Sequence, residues 1–233
     1  MAERIHAVIP ARAGSKRVPG KNVRPVRGRP LVWYSIRAAQ QCAKIGRIVV
    51  SSDDETVLAI AREAGVEAHR RPAALASDTA PTFAVLKALH AAWTAEGDAP
   101  DLLVLLQPTS PLRRAGMIDD ALAMMAADPK ATSLISVYES RLFTGRIEDG
   151  YWVGDYPEET RSQDIPPKYV PSGALFVYRC AETIARSDAY GPRTLPLIED
   201  AAHVVNIDHE SDFQRLTAVL DADPTAFAHL MQS

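Results

Sequence analysis

The fold is decided by the stretch Ile9-Pro-Ala-Arg-Ala-Gly-Ser-Lys-Arg-Val-Pro-Gly-Lys-Asn22. The short apolar segment that leads into it, residues 5–9, predicts a β-strand. Gly14 and Gly20 allow the backbone to turn with its N–H groups pointing inward. Four cationic side chains add positive charge: Arg12, Lys16, Arg17 and Lys21. Because a polyphosphate needs both kinds of group, the stretch predicts a polyphosphate-binding loop in an α/β fold.

The spacing of the glycines separates this loop from the P-loop of nucleotide hydrolases. A P-loop has its second glycine five residues after the first, followed by Lys and a hydroxyl that binds magnesium. Here the glycines are six residues apart and Asn22 follows Lys21. We therefore expect polyphosphate binding by a protein outside the P-loop class.

Charge is distributed unevenly along the chain. Residues 1–52 contain eleven Lys or Arg and one acidic residue, whereas the remainder contains 15 basic and 28 acidic residues. A basic segment on an otherwise acidic chain predicts a site for a small anion. Nucleic-acid binding through residues 16–29 is the alternative. It is weaker because these basic residues alternate with Pro and Gly rather than with aromatic residues, and the acidic remainder repels a long polyanion.

Length and composition predict one domain, residues 1–233, in the cytoplasm. Cys42 and Cys180 have neither the number nor the spacing of a disulfide framework or a zinc site, so we expect them to pack as small apolar residues in a reducing compartment. The chain begins without an apolar leader, and no apolar run reaches the ~20 residues that span a membrane. We expect no membrane partner.

Strand and helix patterns alternate along most of the chain, which predicts a doubly wound, mostly parallel sheet that binds ligands at the carboxyl ends of its strands. Strands are expected at residues 5–9, 47–51, 66–69, 101–106, 134–138, 174–178 and near 203–207. Helices are expected at residues 30–44, 55–64, 82–93 and 117–127, from about 181, and at 212–220.

Residues 139–171 interrupt this alternation, because they are rich in charge, aromatic residues and Pro and have no helical period. Short strands near 144–147 and 151–153, joined at Asp149-Gly150, predict a β-hairpin. Exposed aromatic side chains bury against a partner surface, so we expect an inserted hairpin that forms a homodimer.

A second polar loop, Gln107-Pro-Thr-Ser-Pro-Leu-Arg113, follows the strand expected at residues 101–106. It places an amide, two hydroxyls and a guanidinium in a loop whose shape the prolines restrict. The strand before it is apolar throughout, which is typical of a central strand in a parallel sheet, so this loop is expected opposite the first. Asp53 and Asp54 are interpreted as caps of the next helix rather than as metal ligands.

The motif I-P-A-R-A-G-S-K-R-V-P-G-K-N is followed in order by Ser51-Ser-Asp-Asp54, Arg71-Pro72, the Gln107 loop, Arg161-Ser-Gln-Asp164, Gly173-Ala174 and Ile207-Asp208. In these motifs the chain resembles the acylneuraminate cytidylyltransferases, or CMP-sialic acid synthetases. It is less similar to the CMP-Kdo synthetases, whose first loop has a sequence closer to S-T-R-L-P-G-K. The resemblance implies an α/β nucleotidyltransferase fold with a small dimerisation insert. It also implies transfer of CMP from CTP to a nonulosonic acid, assisted by Mg²⁺, with release of pyrophosphate.

The resemblance implies a role for individual residues. Those expected to hold CTP are Ala11, Arg12, Ala13, Gly14, Ser15, Lys21, Asn22, Arg71 and Thr82, and those expected to hold the nine-carbon sugar acid are Gln107, Thr109, Ser110, Arg161, Gln163, Ser172 and Phe176. Arg12 and Lys21 suit a catalytic role, since charge moves onto the leaving pyrophosphate during the reaction. Asp208 is expected to hold Mg²⁺ and is a candidate acceptor for the hydroxyl proton, with capping of the last helix as its alternative role.

Three positions depart from the family's pattern. Asn206 stands where the first Asp of an Asp-x-Asp metal motif is common, and Ser172 and Phe176 stand where an Asn and a Tyr are usual. Ser172→Asn is therefore expected to shift preference toward N-acetylneuraminate. A cytidylyltransferase for legionaminate, pseudaminate or a Kdo-like acid, or an enzyme that uses another nucleotide, is the alternative.

Overall fold

A seven-stranded sheet forms the centre of the fold in the computed structural model, which describes residues 3–15, 17–77 and 80–231. Its strands are β1 Ile5–Pro10, β4 Arg47–Ser52, β5 Glu67–Arg70, β6 Leu102–Leu105, β7 Ser133–Ser140, β10 Lys168–Arg179 and β11 Thr194–Glu199. Two small ribbons pair β2 Pro25–Val26 with β3 Arg29–Pro30, and β8 Gly145–Glu148 with β9 Tyr151–Gly154. The helices are α1 Leu31–Gln40, α2 Glu55–Glu63, α3 Ala73–Ala76, α4 Thr82–Ala95, α5 Met117–Ala127, α6 Glu210–Ala222 and α7 Ala228–Met231.

The strand order is β11-β7-β10-β6-β1-β4-β5. All neighbouring pairs are parallel except those of β10, which runs antiparallel to both β6 and β7. The carboxyl ends of the six parallel strands therefore share one edge with the amino-terminal half of β10. The chain moves outward from β1 to β5 and then returns to β6 on the other side of β1, so the crevice between β1 and β6 is the switch point where ligands bind in such sheets. The prediction of a doubly wound, mostly parallel sheet is confirmed.

Alternating side chains of β1 pack on the two faces of the sheet, as a strand buried on both sides requires. Ile5, Ala7 and Ile9 join the core that contains α1, α2, α5 and α6. Val8 points to the opposite face and packs in the core formed by Val85, Leu86 and Trp93 of α4. Helices on both faces leave the strand ends as the place for a binding site.

Most predicted elements are present, but the region after β10 differs from the prediction. Residues 181–187, where a helix was expected, form successive turns. Residues 203–207, where a strand was expected, contain the end of a short 3-10 helix, Ala201–His203, followed by irregular chain. Val205 and Ile207 are buried, as their apolar character requires, without joining the sheet ladder. The edge strand is instead β11, which pairs with β7 and which the sequence did not indicate.

The predicted hairpin is present as β8 and β9, outside the main sheet. Its side chains include Ile147, Tyr151 and Trp152, all more than half exposed. The strand β10 then returns to the sheet through a register irregularity between Pro171 and Phe176. Cys42 and Cys180 are buried and unbridged, as expected. Among the described residues, no helix has the length and apolarity needed to cross a membrane.

Candidate active site

A polar cleft opens at the switch point between β1 and β6. Its walls bring together residues from both predicted loops and from two segments between them: Pro10, Arg12, Ser15, Lys21, Asn22, Arg71, Ala80, Thr82, Gln107, Pro108 and Thr109. Residues predicted to bind the nucleotide and residues predicted to bind the sugar thus line the same cleft. This follows from the strand order, because the first loop follows β1 and the second follows its neighbour β6.

The first loop is held in place by groups at the end of β4. Ser52 Oγ donates to the carbonyl of Ala11 at 2.5 Å, and a carboxylate oxygen of Asp53 accepts from the N–H of Ala13 at 2.8 Å. The Asn22 side chain, which is buried, donates to the carbonyl of Arg12 at 3.0 Å. Asp53 was interpreted as a helix cap, and that interpretation is corrected: Asp54 alone caps α2, through the N–H of Thr56. Asp53 directly follows β4, the strand next to β1, and this position is the sequence signal that Asp53 holds the first loop.

Backbone groups of this loop are already engaged, which changes the expected mode of anion binding. The N–H of Ala13 is bound by Asp53, and the N–H of Ser15 donates to the carbonyl of Ala13 at 2.8 Å. The carbonyl of Gly14 accepts a 2.6 Å hydrogen bond from Arg12 Nη1. Cationic side chains, rather than these N–H groups, are therefore the main attraction for an anion here.

Two partly desolvated cations line the cleft. Burial lowers the pKa of Lys21, while nearby Asp208 opposes the shift and Arg12 and Arg17 reinforce it. Its Nζ donates to the carbonyl of Ile207 at 2.9 Å. Arg71 is buried and donates to the carbonyl of Ser51 at 2.7 Å, and burial lowers its pKa. Charges with reduced hydration interact more strongly with an anion than exposed ones do, so the cleft is prepared for phosphate. Lys16 lies outside the described residues.

The second loop packs closely against β10 through Gly173. Ser110 Oγ donates to the carbonyl of Ser172 at 3.1 Å and to Oδ1 of Asn206. Gly173 has φ +77°, and a Cβ there would lie 2.7 Å from Ser110 Oγ and 3.0 Å from Gln107 Oε1. A side chain at position 173 would therefore displace the loop that carries Gln107 and Thr109.

Arg113 does not present its guanidinium to the cleft, which corrects the sequence interpretation. The side chain is 1% exposed and donates to the carbonyls of Ala174 at 2.8 Å and Gln107 at 2.9 Å, and to Ser35 Oγ at 3.1 Å. Burial lowers its pKa to about 9, and the charge of Glu199 opposes that shift. Arg113 thus connects the second loop to β10 and to α1 through buried hydrogen bonds.

Five predicted sugar-binding residues are not among those that line the cleft. Ser110 is buried, and its hydroxyl is bonded to the carbonyl of Ser172 and to Asn206. Ser172 is buried, with its hydroxyl bonded to Ser136 Oγ at 2.6 Å and to Glu199. Phe176 lies in the core under α4 and stacks on Tyr178, with ring centroids 6.2 Å apart. These placements correct the expectation of direct sugar contact, because all three side chains are engaged within the protein.

The other two, Arg161 and Gln163, lie on the inserted segment. Both are exposed, and Arg161 Nε donates to Asp164 at 2.7 Å. Neither reaches the cleft of its own chain, since the cleft walls are built from the two loops and the residues between them. Their expected contact with the sugar therefore stays a prediction.

Asp208 does not line the cleft but follows Ile207, whose carbonyl accepts from the cleft residue Lys21, and its side chain is about half exposed. Its carboxylate is 3.5 Å from Arg17 Nη1. The preceding residue, Ile207, donates its N–H to the carbonyl of Thr109 at 2.7 Å, which joins this segment to the second loop. Among the described residues there is no cluster of three or more His, Cys, Asp or Glu side chains that could hold a metal ion. One carboxylate still fits Mg²⁺, which usually takes one or two carboxylates and completes its shell with phosphate oxygens and water.

Comparison with known proteins gives a consistent result. Residues 6–148 match the family model described as cytidylyltransferase. The chain is 30% identical to the N-acylneuraminate cytidylyltransferase of Escherichia coli, over 92% of this chain and 51% of that protein. It is 29% identical to the CMP-N,N'-diacetyllegionaminic acid synthase of Legionella pneumophila, over 96% of this chain and 99% of that one. The chain thus spans about half the length of the E. coli relative and nearly all of the Legionella one.

Solved structures support the fold. The structure of CMP:2-keto-3-deoxy-manno-octonic acid synthetase complexed with CTP superposes with a TM-score of 0.67 and 17% identity, over 94% of this chain and 99% of that chain. At this identity the similarity shows a shared architecture and no more.

Proposed function

The chain belongs to the cytidylyltransferase family, and from that premise we propose that it transfers CMP from CTP to a nonulosonic acid, with release of pyrophosphate. The observation that carries the proposal is the cleft at the switch point, where Lys21 and Arg71 face Gln107 and Thr109. One wall offers positive charge suited to a triphosphate, and the other offers an amide and a hydroxyl suited to a sugar. The relatives' names supply the two substrate classes.

We propose a part in the reaction for each side of the cleft. A hydroxyl oxygen of the sugar acid attacks the α-phosphorus, the bond from that phosphorus to the oxygen bridging the β-phosphorus breaks, and pyrophosphate leaves with the bonding electrons. Lys21 and Arg12 stabilise the charge that develops on the leaving group. Asp208 is the candidate acceptor for the hydroxyl proton.

We propose Mg²⁺ as the cofactor, held by Asp208 on the protein side. When bound, the ion would neutralise charge on the phosphate groups. Because Asn206 is neutral and its Oδ1 is engaged by Ser110, Asp208 would be the one charged ligand of this pair. Free protein is therefore expected to bind Mg²⁺ weakly in the absence of CTP.

We also propose a cytoplasmic homodimer formed through residues 139–171. Exposed Leu142, Phe143, Ile147, Tyr151 and Trp152 give this segment an apolar surface larger than scattered single residues would. CTP as a substrate and two unbridged cysteines support the compartment. Arg161 and Gln163, which do not line the cleft of their own chain, fit a role in a site completed by association.

Pyrophosphate release tests the proposal directly. The full chain is incubated with CTP, ATP, GTP or UTP, with N-acetylneuraminate, legionaminate, pseudaminate or Kdo as acceptor, in the presence of Mg²⁺. Release that depends on CTP and on a nine-carbon acid supports the proposal. Release with Kdo alone supports the alternative sugar acid, and no release with any pair refutes the activity.

The remaining alternative is nucleic-acid binding through the basic first loop. Arg24 and Arg27, two of the basic residues in that segment, already form ion pairs with Glu210 and Asp221 of α6. This pairing lowers the charge available to a polyanion. Binding of single-stranded DNA or RNA that weakens steeply with salt, in a chain that releases no pyrophosphate, would favour the alternative.

A further inference from the structure

The segment that carries Asp208, residues 206–210, is fixed at three points. Upstream, the buried side chain of Ile207 packs in the core, its N–H donates to Thr109, and its carbonyl accepts from Lys21. These contacts place the backbone before Asp208 between the two loops of the cleft. The backbone at Asp208 itself is held by other contacts.

Asp212 holds that backbone directly. Its Oδ2 accepts from the N–H of Asp208 at 2.8 Å and from the N–H of His209 at 2.7 Å. Asp212 is the third residue of α6, and His209 is the N-cap, so the helix end and the Asp208 backbone share one acceptor. Both N–H groups are thus satisfied from the helix side, while the Asp208 carboxylate is about half exposed and lies 3.5 Å from Arg17.

Arg24 joins this segment to the loop that carries Lys21. Both terminal nitrogens of Arg24 donate to the carboxylate of Glu210, the first residue of α6. Its guanidinium also lies over the ring of Phe213, 4.4 Å from the centroid. The N–H of Arg24 donates to the carbonyl of Lys21 at 3.3 Å. The Arg24 side chain therefore sets the spacing between the loop that carries Lys21 and the segment that carries Asp208. Its two hydrogen bonds to one carboxylate fix the direction of this pair.

We propose that Asp212 and Arg24 are positioning residues that hold residues 206–210 in register with Lys21, so that Asp208 meets the metal carried by the nucleotide. This inference rests on the proposed function. Neither side chain touches substrate. Partners that orient a metal ligand typically change metal affinity by about 10–100-fold when they are removed.

The test is equilibrium binding of CTP to the full chain by calorimetry, with no sugar present, first in EDTA and then with saturating Mg²⁺. Asp212→Ala is expected to lower the magnesium-dependent gain in CTP affinity by about tenfold, while affinity in EDTA stays within about twofold. Asp212→Asn is expected to retain most of the gain, because its carboxamide oxygen can accept the same two N–H groups. Arg24→Gln should lose part of the gain, and it carries the test if Asp212→Ala does not fold.

Asp223→Ala is the matched control, since Asp223 accepts from Ala226 N–H at 3.0 Å just after the opposite end of α6. It should keep the full magnesium-dependent gain. Equal loss in this control, an unchanged gain in both Asp212→Ala and Arg24→Gln, or no rescue by Asp212→Asn would overturn the inference.

The wild-type result separates this inference from the proposed function. If the wild-type chain binds no CTP, the proposed function fails, and the inference fails with it. If the wild type binds CTP with no gain from Mg²⁺, or the variants behave as wild type, only the positioning role is refuted.

Discussion

Replacing Arg113 with methionine is expected to destabilise the protein and to loosen the second loop of the cleft. The substitution removes the donors to the carbonyls of Ala174 and Gln107, which lie 2.8 and 2.9 Å from the guanidinium, and to Ser35 Oγ. A buried acceptor left without a donor costs about 1–3 kcal/mol, which applies to the carbonyl of Ala174. The carbonyl of Gln107 still accepts from the N–H of Ser110 at 3.1 Å, so losing Arg113 costs less there. Relief from burying a charge offsets part of the cost, and we expect a net loss of about 1–3 kcal/mol in the free energy of unfolding.

The neighbouring residue supplies the control. Arg114 is half exposed and pairs with Asp120 on the surface, so Arg114→Met is expected to change the free energy of unfolding by less than about 1 kcal/mol. Urea unfolding followed by circular dichroism gives both values, and an unchanged m-value shows that the change lies in stability.

Loosening of the loop has a second, separable effect. Gln107 and Thr109 precede Arg113 in the same loop, so Arg113→Met should raise KM for the sugar acid more than KM for CTP. Arg113→Lys, which keeps the charge but loses the fork of donors, should fall between wild type and methionine. If Arg113→Met and Arg114→Met have equal stability, the interpretation of Arg113 as a buried brace is wrong.

Four more predictions concern the cleft, the core and the hairpin. Lys21→Ala and Arg12→Ala should each lower kcat by about a hundredfold or more with the fold retained, and near wild-type turnover in either would refute their role. Asp208→Asn should abolish turnover and retain the CTP affinity measured without Mg²⁺, so an active variant in a magnesium titration would contradict the proposed metal ligand. Burial lowers the pKa of His6, so the unfolded chain takes up a proton first and the free energy of unfolding should fall as pH drops below about 6.5. Urea unfolding of wild type and His6→Gln between pH 5 and 8 checks this, and the variant should lose part of the slope. Light scattering at micromolar concentration should give a dimer for wild type and a monomer for Trp152→Glu, and a monomeric wild type would end the dimer proposal.

The chemistry of the cleft could be predicted from the sequence because it follows the strands. Arg12, Lys21, Gln107 and Thr109 stand in loops directly after two apolar strands, and parallel strands bring such loops to one edge. The structure places all four in the same cleft.

Arg113 could not be distinguished in the same way, because an arginine that binds ligand and one that is buried look alike in a loop. Its partner Ala174 is 61 residues away, in a strand whose register the sequence does not specify. Ser172 also looked like a ligand contact, although the sheet turns its hydroxyl toward Ser136 of the neighbouring strand. Tertiary pairing, rather than local chemistry, decides both positions.

The misplaced edge strand has a related cause. Residues 203–207 are apolar enough to suggest a strand, and Val204, Val205 and Ile207 are buried, but the segment contributes no ladder to the sheet. The true edge strand, β11, carries Pro196 and exposes Ile198, which weakens its alternating pattern. Burial and pairing are different properties, and the sequence reports the first more clearly.

The irregularity in β10 bears on how the family can change over evolutionary time. In a strand, a slip of one residue sends every side chain to the opposite face. Here residues 168–171 pair with β7 in one register and residues 176–178 in another, with the irregularity between Pro171 and Phe176 absorbing the difference. An insertion or deletion in the hairpin can therefore shift the outer half of β10 without inverting the inner half that supports the cleft. The chain is thus built so that the hairpin can gain or lose residues while the chemistry at the sheet edge is inherited unchanged.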